Sequence, residues 1–346
     1  MKNVKGKQTY NEIFGQFDSW RKNFHILRER SEEIQNFGIN NRFDNIVLIG
    51  CGTSYYLALS AAFLLTNFTK TKTVAIPASE VFFFPRCYLN KTNLIIAISR
   101  SGSTTEVLKA VEESRRINQS KVLGIVCREG SPLCRMADLC LAAVDAEDES
   151  VVQTRSFTTM YIMLLAYAAM VGGHQEYITE LEKLPDIAES VTIGTKKLVQ
   201  DLGQSKELRT FVFLGSGHNY GLACAAMLNL KETSLSHTEA YHFMEFRHGP
   251  FSILDRSTLV IGFISDSVKE YEIPVLKEAA SVGAKVLALA KSPINEAHYN
   301  IAVPHLSEYV RSIAFFPALH LLSFYRAIAK GLDPDAPPNL RRVITF

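Results

Sequence analysis

The sequence contains one internal repeat at domain length, and no other feature constrains its fold as strongly. Three short apolar runs recur in the same order: 45–50 at 210–215, 94–98 at 259–263, and 121–126 at 285–290. The offsets are 165, 165 and 164 residues, a spacing typical of a duplicated domain rather than of a solenoid of short repeats. A chain of 346 residues has room for two domains of about 150 residues each.

The character of these runs predicts the fold class. They are apolar on both faces and alternate with helical stretches, which is typical of parallel strands covered by helices on both sides. Ahead of them, Ile13, Phe14, Phe17 and Trp20 have helical spacing. We therefore expect an α/β protein with two tandem parallel-sheet domains. The predicted layout is a helical lead-in (1–36), a first domain (37–175), a linker (176–206), a second domain (207–328) and a C-terminal tail (329–346).

Charge and composition exclude several classes of partner. Lys and Arg (37) nearly balance Asp and Glu (35), so a net charge of +2 gives no broad field that would attract nucleic acid or an anionic membrane. The longest apolar run, 160–171, is shorter than a membrane span, and the first residues lack an apolar signal core. The six cysteines contain no CxxC pair. We expect reduced thiols and a cytoplasmic protein that binds neither nucleic acid nor membrane.

The densest chemical signal is the run Ser-Arg-Ser-Gly-Ser-Thr-Thr-Glu at 99–106, between a predicted strand and a predicted helix. Hydroxyl and backbone N–H groups at a helix N-terminus form a site for a dianionic phosphate, and Gly102 allows close approach of the backbone. An elaborate helix cap is the simpler alternative, but four hydroxyls in six residues exceed what capping needs. The run lacks the Gly-Lys-Ser/Thr of a Walker loop, and the GxG at 50–52 lacks the third glycine of a dinucleotide site. No nucleotide cofactor is expected.

Two further runs carry candidate acid and base groups. Glu232 and Asn229 are three residues apart on a predicted helix and project from one face, where a carboxylate could move a proton between sugar carbons. A solvated helix-end charge is the alternative. His248 precedes Gly-Pro and is predicted to lie on a turn, as a candidate acid or base. The histidines and glutamates over 237–248 contain no HExxH, so we expect no metal.

Taken together, these motifs resemble the sugar isomerase (SIS) domain family, specifically its double-domain members. These comprise the isomerase half of glucosamine-6-phosphate synthase, the SIS-type glucosamine-6-phosphate deaminases and the fructosamine-phosphate deglycases. The resemblance runs from about Ile46 onward and implies two flavodoxin-like domains. It is carried by motifs in family order: 50–54, 78–80, 99–104, 230–232, 239–250 and 338–340.

The resemblance also implies a role for each matching residue. It assigns phosphate binding to Ser54, Ser99, Arg100, Ser101 and Thr104, and sugar binding to Cys51, Gly52, Thr53, Val151, Gln153, Asn229 and Arg342. Glu232 matches the base that moves a proton between C1 and C2. His248 matches a ring-opening histidine that the neighbouring subunit contributes, which implies a homodimer with shared sites. The apolar tail 343–346 is expected to pack down and close the site.

Departures from the synthase pattern favour a catabolic deaminase or deglycase over a synthase-like isomerase. Met1 is followed by Lys2 rather than a nucleophilic cysteine, so this chain is not expected to use glutamine as an ammonia donor. Asn229 replaces a motif lysine, and Arg342 replaces the tail lysine that forms an imine. Arginine stays protonated and does not form imines. We expect deamination and isomerisation of an amino-sugar 6-phosphate. The alternatives are a fructosamine-6-phosphate deglycase, a plain aldose–ketose isomerase or, from a different class, a phosphosugar-sensing regulator.

Overall fold

The computed structural model of the chain describes residues 5–40, 43, 45–89 and 93–342. These residues form ten strands in two sheets. The strands are β1 (Asn45–Gly50), β2 (Lys72–Pro77), β3 (Asn93–Ser99), β4 (Lys121–Val126), β5 (Leu139–Ala142), β6 (Thr210–Gly215), β7 (His237–His242), β8 (Thr258–Phe263), β9 (Lys285–Ala290) and β10 (Tyr299–Ala302).

Fourteen α-helices alternate with the strands in the described residues, along with a 3-10 helix at Pro250–Ile253. The α-helices are α1 (Lys7–Glu29), α2 (Ser31–Asn40), α3 (Thr53–Thr69), α4 (Ala78–Phe83), α5 (Pro85–Tyr88), α6 (Thr105–Asn118), α7 (Pro132–Met136), α8 (Arg155–Gly172), α9 (Gln175–Gln204), α10 (His218–Ser234), α11 (Phe243–Phe246), α12 (Lys269–Ser281), α13 (Glu308–Ala314) and α14 (Phe316–Ala329).

The chain divides into two compact units, each containing one sheet. The described part of the first-repeat unit is 15–40, 43, 45–89, 93–148, 155–182 and 341–342. Its strands are all parallel, in the order β2-β1-β3-β4-β5. This is the strand order of flavodoxin-like folds. Its core includes fully buried side chains on one face of β1 and β3, such as Val47, Ile49, Ile95 and Ala97, and on the other face, such as Leu48 and Ile96.

The second-repeat unit has the same topology. Its described part is 5–14, 149–154 and 183–340, and its parallel strands run in the order β10-β9-β8-β6-β7. Counted from β6, this is the same order as in the first sheet, so the repeat seen in the sequence is a repeat of structure. The prediction of two flavodoxin-like parallel sheets is confirmed.

The structure shows how three helical stretches of the sequence are used. In α1, Ile13, Phe17 and Trp20 are buried, as their spacing predicts, while Phe14 is half-buried. The predicted linker at 176–206 falls almost entirely within α9, and one of the boundaries between the units also falls there. The stretch Glu308–Ala329 is long and apolar enough to cross a membrane, but 83% of its most apolar 18-residue window is buried, as in a core helix.

One expectation about the cysteines is wrong. Cys134 in α7 and Cys140 in β5 are joined by a disulfide, across a Cα–Cα distance of 5.2 Å. The two residues are six apart in sequence, a spacing that the search for CxxC pairs does not detect. Cys51, Cys87, Cys127 and Cys224 are free thiols.

Candidate active site

The topology of the first sheet points to one edge as its ligand site. The connections from β1 and β3 leave the sheet on opposite sides, and the carboxyl ends of these neighbouring strands mark the switch point of the fold. Ligands of open α/β sheets bind in the crevice at such a point. Both polar loops singled out in the sequence, 50–54 after β1 and 99–104 after β3, lie there.

Two glycines shape the loop after β1. A Cβ on Gly50 would lie 2.6 Å from the backbone carbon of Ser54, so only glycine allows the loop to fold back on itself. Gly52 precedes α3 with φ 54° and ψ −126°, a conformation that side chains disfavour. As a result, Ser54 is buried in the first turn of α3. Burial raises the pKa of Cys51 to about 12, with a further contribution from Glu106, so Cys51 is a neutral thiol and not a nucleophile.

The loop 99–104, here called the hydroxyl loop, is organised by its own side chains. The Ser99 hydroxyl accepts a hydrogen bond from the Gly102 N–H at 3.1 Å and lies 2.9 Å from the Thr104 hydroxyl. The Ser101 hydroxyl accepts from the N–H of Ser103 at 3.2 Å and from its hydroxyl at 3.0 Å. Thr104 is the N-cap residue of α6, yet its side chain makes no capping hydrogen bond. The Thr104 side chain therefore does not act as a helix cap, and the phosphate-binding role of the loop stays a proposal.

Gly102 fits a space that no other residue would fit. Its φ is +62°, and a Cβ there would lie 2.1 Å from the hydroxyl oxygen of Ser131 and 2.5 Å from its Cβ. Ser131 is buried, and its hydroxyl has no hydrogen-bond partner in the structure. Just beyond it, the Leu133 N–H donates to the Gly102 carbonyl at 2.9 Å. The hydroxyl loop is thus held against the start of α7 through backbone contact.

Arg100 and the tail residue Arg342 contact each other in the first-repeat unit. The buried Arg100 guanidinium donates to the carbonyl oxygen of Arg342 at 2.9 Å. The Arg342 guanidinium forms an ion pair with Glu147 at 3.0 Å and donates to the carbonyl of Asp148. Burial lowers the pKa of Arg100, and the Asp148 carboxylate opposes that shift. At least part of the hydrogen-bonding capacity of both arginines is therefore used within the protein.

The second repeat places different residues at its switch point. Gly217, the counterpart of Gly52, has φ 56° and ψ −129°, so the loop conformation is preserved. His218 stands where the first repeat has Thr53, and its ring lies 3.1 Å from the Ser312 hydroxyl. Burial, together with the charge of Arg311, lowers the pKa of His218 to about 3, so this histidine is neutral.

In the loop after β8, which corresponds to the hydroxyl loop of the first repeat, the hydrogen-bond donors are bound by side-chain carboxyl groups of the protein itself. Glu272 accepts from the Ser265 N–H at 2.7 Å and from the Ser265 hydroxyl at 3.0 Å, with a further hydrogen bond from Ser216. Glu308 accepts from the Asp266 N–H at 2.7 Å. Because these N–H and hydroxyl groups already hold internal anions, the geometry favours the first repeat as the phosphate site.

Asn229 and Glu232 lie one turn apart on α10 in the second-repeat unit. Asn229 is buried, and its side-chain amide donates to the carbonyl oxygen of Gln153 at 3.0 Å. Its amide is thus bound to the backbone of a residue that was itself predicted to contact sugar. Glu232 is half-buried near the end of α10. Its assignment as the proton-transferring base stays a proposal.

The predicted acid, His248, lies on an exposed turn after α11, as the Gly-Pro sequence indicated. Its N–H donates to the Glu245 carbonyl at 3.0 Å, and Gly249 follows with φ +119°. Its exposure leaves the ring accessible to a ligand, and its assignment as the ring-opening acid stays a proposal. The described residues contain no group of three or more His, Cys, Asp or Glu that could hold a metal ion.

The sequence analysis did not identify several buried polar residues of α1, nor Glu147. On the buried face of α1, Glu12, Gln16, Ser19 and Asn23 lie among the apolar side chains, each less than 5% exposed. Their three- to four-residue spacing is a detectable signal, because a polar residue repeated on an apolar face predicts a buried hydrogen-bond network. Glu147 carried no comparable signal.

Comparisons with known proteins find relatives that match most of this chain. The chain is 29% identical to a glutamine–fructose-6-phosphate aminotransferase (isomerizing) of Thermococcus kodakarensis, over 98% of this chain and 57% of the relative. It is 30% identical to the enzyme of the same name from Pyrobaculum aerophilum, over 87% of this chain and 51% of the relative. The chain thus spans about half the length of these relatives.

Among solved structures, the fold matches a glucosamine-6-phosphate deaminase of Thermotoga maritima, with a TM-score of 0.84 and 29% identity over 98% of this chain and 100% of the other. A tagatose-6-phosphate ketose/aldose isomerase of Escherichia coli matches in fold, with a TM-score of 0.87 and 23% identity over 98% and 97% of the two chains. The family model of the SIS domain matches residues 41–170 and 206–322, one stretch for each repeat. The chain therefore belongs to the SIS domain family.

Proposed function

We propose that this protein is an enzyme that deaminates and isomerises an amino-sugar 6-phosphate to a ketose 6-phosphate and ammonia. The observation that carries the proposal is the hydroxyl loop at the switch point of the first sheet, which packs closely against Ser131 at Gly102. The names of the relatives and of the matched structures refer to fructose-6-phosphate, glucosamine-6-phosphate and tagatose-6-phosphate, which supports a phosphosugar-processing enzyme.

The hydroxyl loop would bind the phosphate and so anchor the substrate by a group that does not react. Ser99, Ser101 and Thr104 present hydroxyls at the N-terminus of α6, where the helix dipole favours an anion. Ser54 and Arg100 complete the proposed set. Binding energy from a remote phosphate orients the reacting carbons and reduces the entropy lost at the transition state.

The chemistry then needs one acid for ring opening and one base for proton transfer. We assign these roles to His248 and Glu232. With the ring open, Glu232 removes the C2 proton, and the electrons form an enolamine between C1 and C2. Return of the proton at C1 gives a ketimine at C2. Water adds to the ketimine and ammonia leaves, so the substrate and one water yield ketose phosphate and ammonia.

Arg342 supports the catabolic direction. A guanidinium cannot form an imine with a ketose, and this guanidinium is paired with Glu147 at 3.0 Å. Cys51, Gly52, Thr53, Val151 and Gln153 remain the proposed sugar contacts. We further propose a cytoplasmic homodimer in which the partner subunit supplies His248.

The decisive experiment measures ammonia and ketose release across a panel of 6-phosphates. Glucosamine 6-phosphate should release ammonia and ketose in equal amounts. Conversion of aldose 6-phosphates without an amino group to ketose 6-phosphates would favour the isomerase alternative. Release of an amine from fructosamine 6-phosphates would favour the deglycase alternative. Tight binding without turnover of any member would favour the sensor.

A further inference from the structure

The N-terminal helix contacts one of the proposed sugar-contacting segments through a buried carboxylate. Glu12 in α1 is 3% exposed. It accepts hydrogen bonds from the N–H of Glu149 at 2.5 Å and of Ser150 at 3.0 Å, and from the Ser150 hydroxyl. A carboxylate that accepts three hydrogen bonds from one short segment fixes the backbone of that segment.

Two other contacts hold the rest of the 149–153 segment. The Val151 N–H donates to the Asp335 carbonyl at 3.3 Å, and the Asn229 side chain donates to the Gln153 carbonyl at 3.0 Å. Within the segment, the Ser150 hydroxyl also lies 3.1 Å from the carbonyl oxygen of Val152. The segment is therefore fixed from α1, from α10 and from the tail, all within the second-repeat unit.

The start of α1 is itself tied to the tail. The Asp335 carboxylate accepts from the N–H of Thr9 at 2.7 Å, from the Thr9 hydroxyl at 2.7 Å and from the N–H of Gln8 at 3.1 Å. A carboxylate that receives the unpaired N–H groups of a first helical turn acts as its cap. The first turn of α1 is therefore hydrogen-bonded to the tail, and Glu12, one turn later, is hydrogen-bonded to the 149–153 segment.

We propose that Glu12 is a positioning residue that sets the backbone of Val151 and Gln153 for contact with the sugar. This inference rests on the proposed function, because it assumes that the 149–153 segment contacts sugar. A segment fixed before binding loses less conformational entropy when the substrate arrives. Glu12 would not touch the substrate, and it would act only through the backbone that it holds.

The test compares Glu12→Gln with wild type using two ligands. Glutamine keeps the shape of the side chain but turns one acceptor oxygen into a donor that faces other donors. Calorimetry should show at least tenfold weaker binding of an amino-sugar 6-phosphate. Inorganic phosphate, which needs only the hydroxyl loop, should bind within twofold of wild type. Glu207→Gln is the matched control and should bind both ligands like wild type, because Glu207 is exposed in the same unit and lies outside the 149–153 segment.

Each outcome decides the inference. Equal losses for both ligands would reveal a merely structural role and overturn it, as would unchanged sugar-phosphate affinity in Glu12→Gln. If Glu12→Gln does not fold, Ser150→Ala removes one of the three donors and should weaken sugar-phosphate binding alone by about two- to fivefold, a loss consistent with one modest hydrogen bond. Failure of wild type to bind any sugar phosphate would overturn the proposed function first and this inference with it.

Discussion

Replacing Gly102 by alanine should damage the phosphate site through a steric conflict that the structure locates. Two costs add at this position. The left-handed backbone, φ +62°, costs a non-glycine residue roughly 1–2 kcal/mol. The new Cβ would also lie 2.5 Å from the Cβ of Ser131, a buried atom close to the backbone that cannot rotate away. Overpacking of this kind costs about 1–3 kcal/mol, so the total is about 2–5 kcal/mol.

Gly130→Ala provides a matched control. Gly130 has φ +68°, but a Cβ there would meet nothing within 4 Å. It should therefore show only the conformational cost of roughly 1–2 kcal/mol. Urea unfolding can be followed by the fluorescence of Trp20, the single tryptophan of the chain, which is buried in the same unit as both glycines.

Gly102→Ala and Gly130→Ala should also differ in their affinity for sugar phosphate. A displaced hydroxyl loop loses at least one charge-assisted hydrogen bond, worth about 1.5–3 kcal/mol, so Gly102→Ala should bind sugar phosphate at least tenfold more weakly in calorimetry. Gly130→Ala should bind like wild type. Adding Ser131→Gly removes both clashing atoms and should restore much of the loss. If Gly102→Ala matches Gly130→Ala in stability and affinity, the steric argument is refuted.

Four further predictions concern catalysis, shared sites, stoichiometry and the tail. Glu232→Gln should lose about 10²–10⁴-fold in activity while keeping sugar-phosphate affinity, and surviving solvent deuterium exchange at C2 would contradict its role as the base. If the sites are shared between subunits, mixed dimers of Glu232→Gln and His248→Asn should regain activity, whereas mixed dimers that form and stay inactive would exclude that arrangement. Calorimetry should give one sugar phosphate per chain, because Glu272 fills the counterpart loop, and two sites per chain would show that this carboxylate yields to a ligand. Borohydride reduction in the presence of fructose 6-phosphate should leave the tail around Arg342 unmodified, and a mapped sugar-phosphate adduct there would restore the synthase-like alternative.

The fold and the position of the hydroxyl loop between β3 and α6 could be predicted from sequence because their signals are local or periodic. Apolar runs at constant offsets predict two sheets, and a hydroxyl-rich run before a helix predicts an anion site. The 176–206 stretch is predicted to be a linker because it is more polar than its surroundings, with charged residues spread along it. In α9 these charges occupy the exposed face, while Leu181, Leu184 and Leu202 are buried on the other.

Contacts between residues far apart in the chain could not be predicted in this way. The roles of Glu12 and Glu272 depend on which backbone N–H groups lie opposite them, and in the case of Glu12 these are more than a hundred residues away. The disulfide was missed for a related reason, since Cys134 and Cys140 are brought together by the turn between α7 and β5. Sequence spacing alone does not report that geometry.

The ties between α1 and the tail have a consequence for how the protein is made. Residues 6, 8 and 9 bond to residues 333 and 335, which emerge from the ribosome more than three hundred residues later. Most of the first-repeat unit lies within 15–182, so its sheet is complete in the nascent chain well before synthesis ends. The second-repeat unit is completed later, because the first turn of α1 gains its partners Asp333 and Asp335 only when the last segment is made. Since domains fold as units during synthesis and distant contacts form slowly, stalled translation should leave a folded first sheet beside an unanchored N-terminal turn.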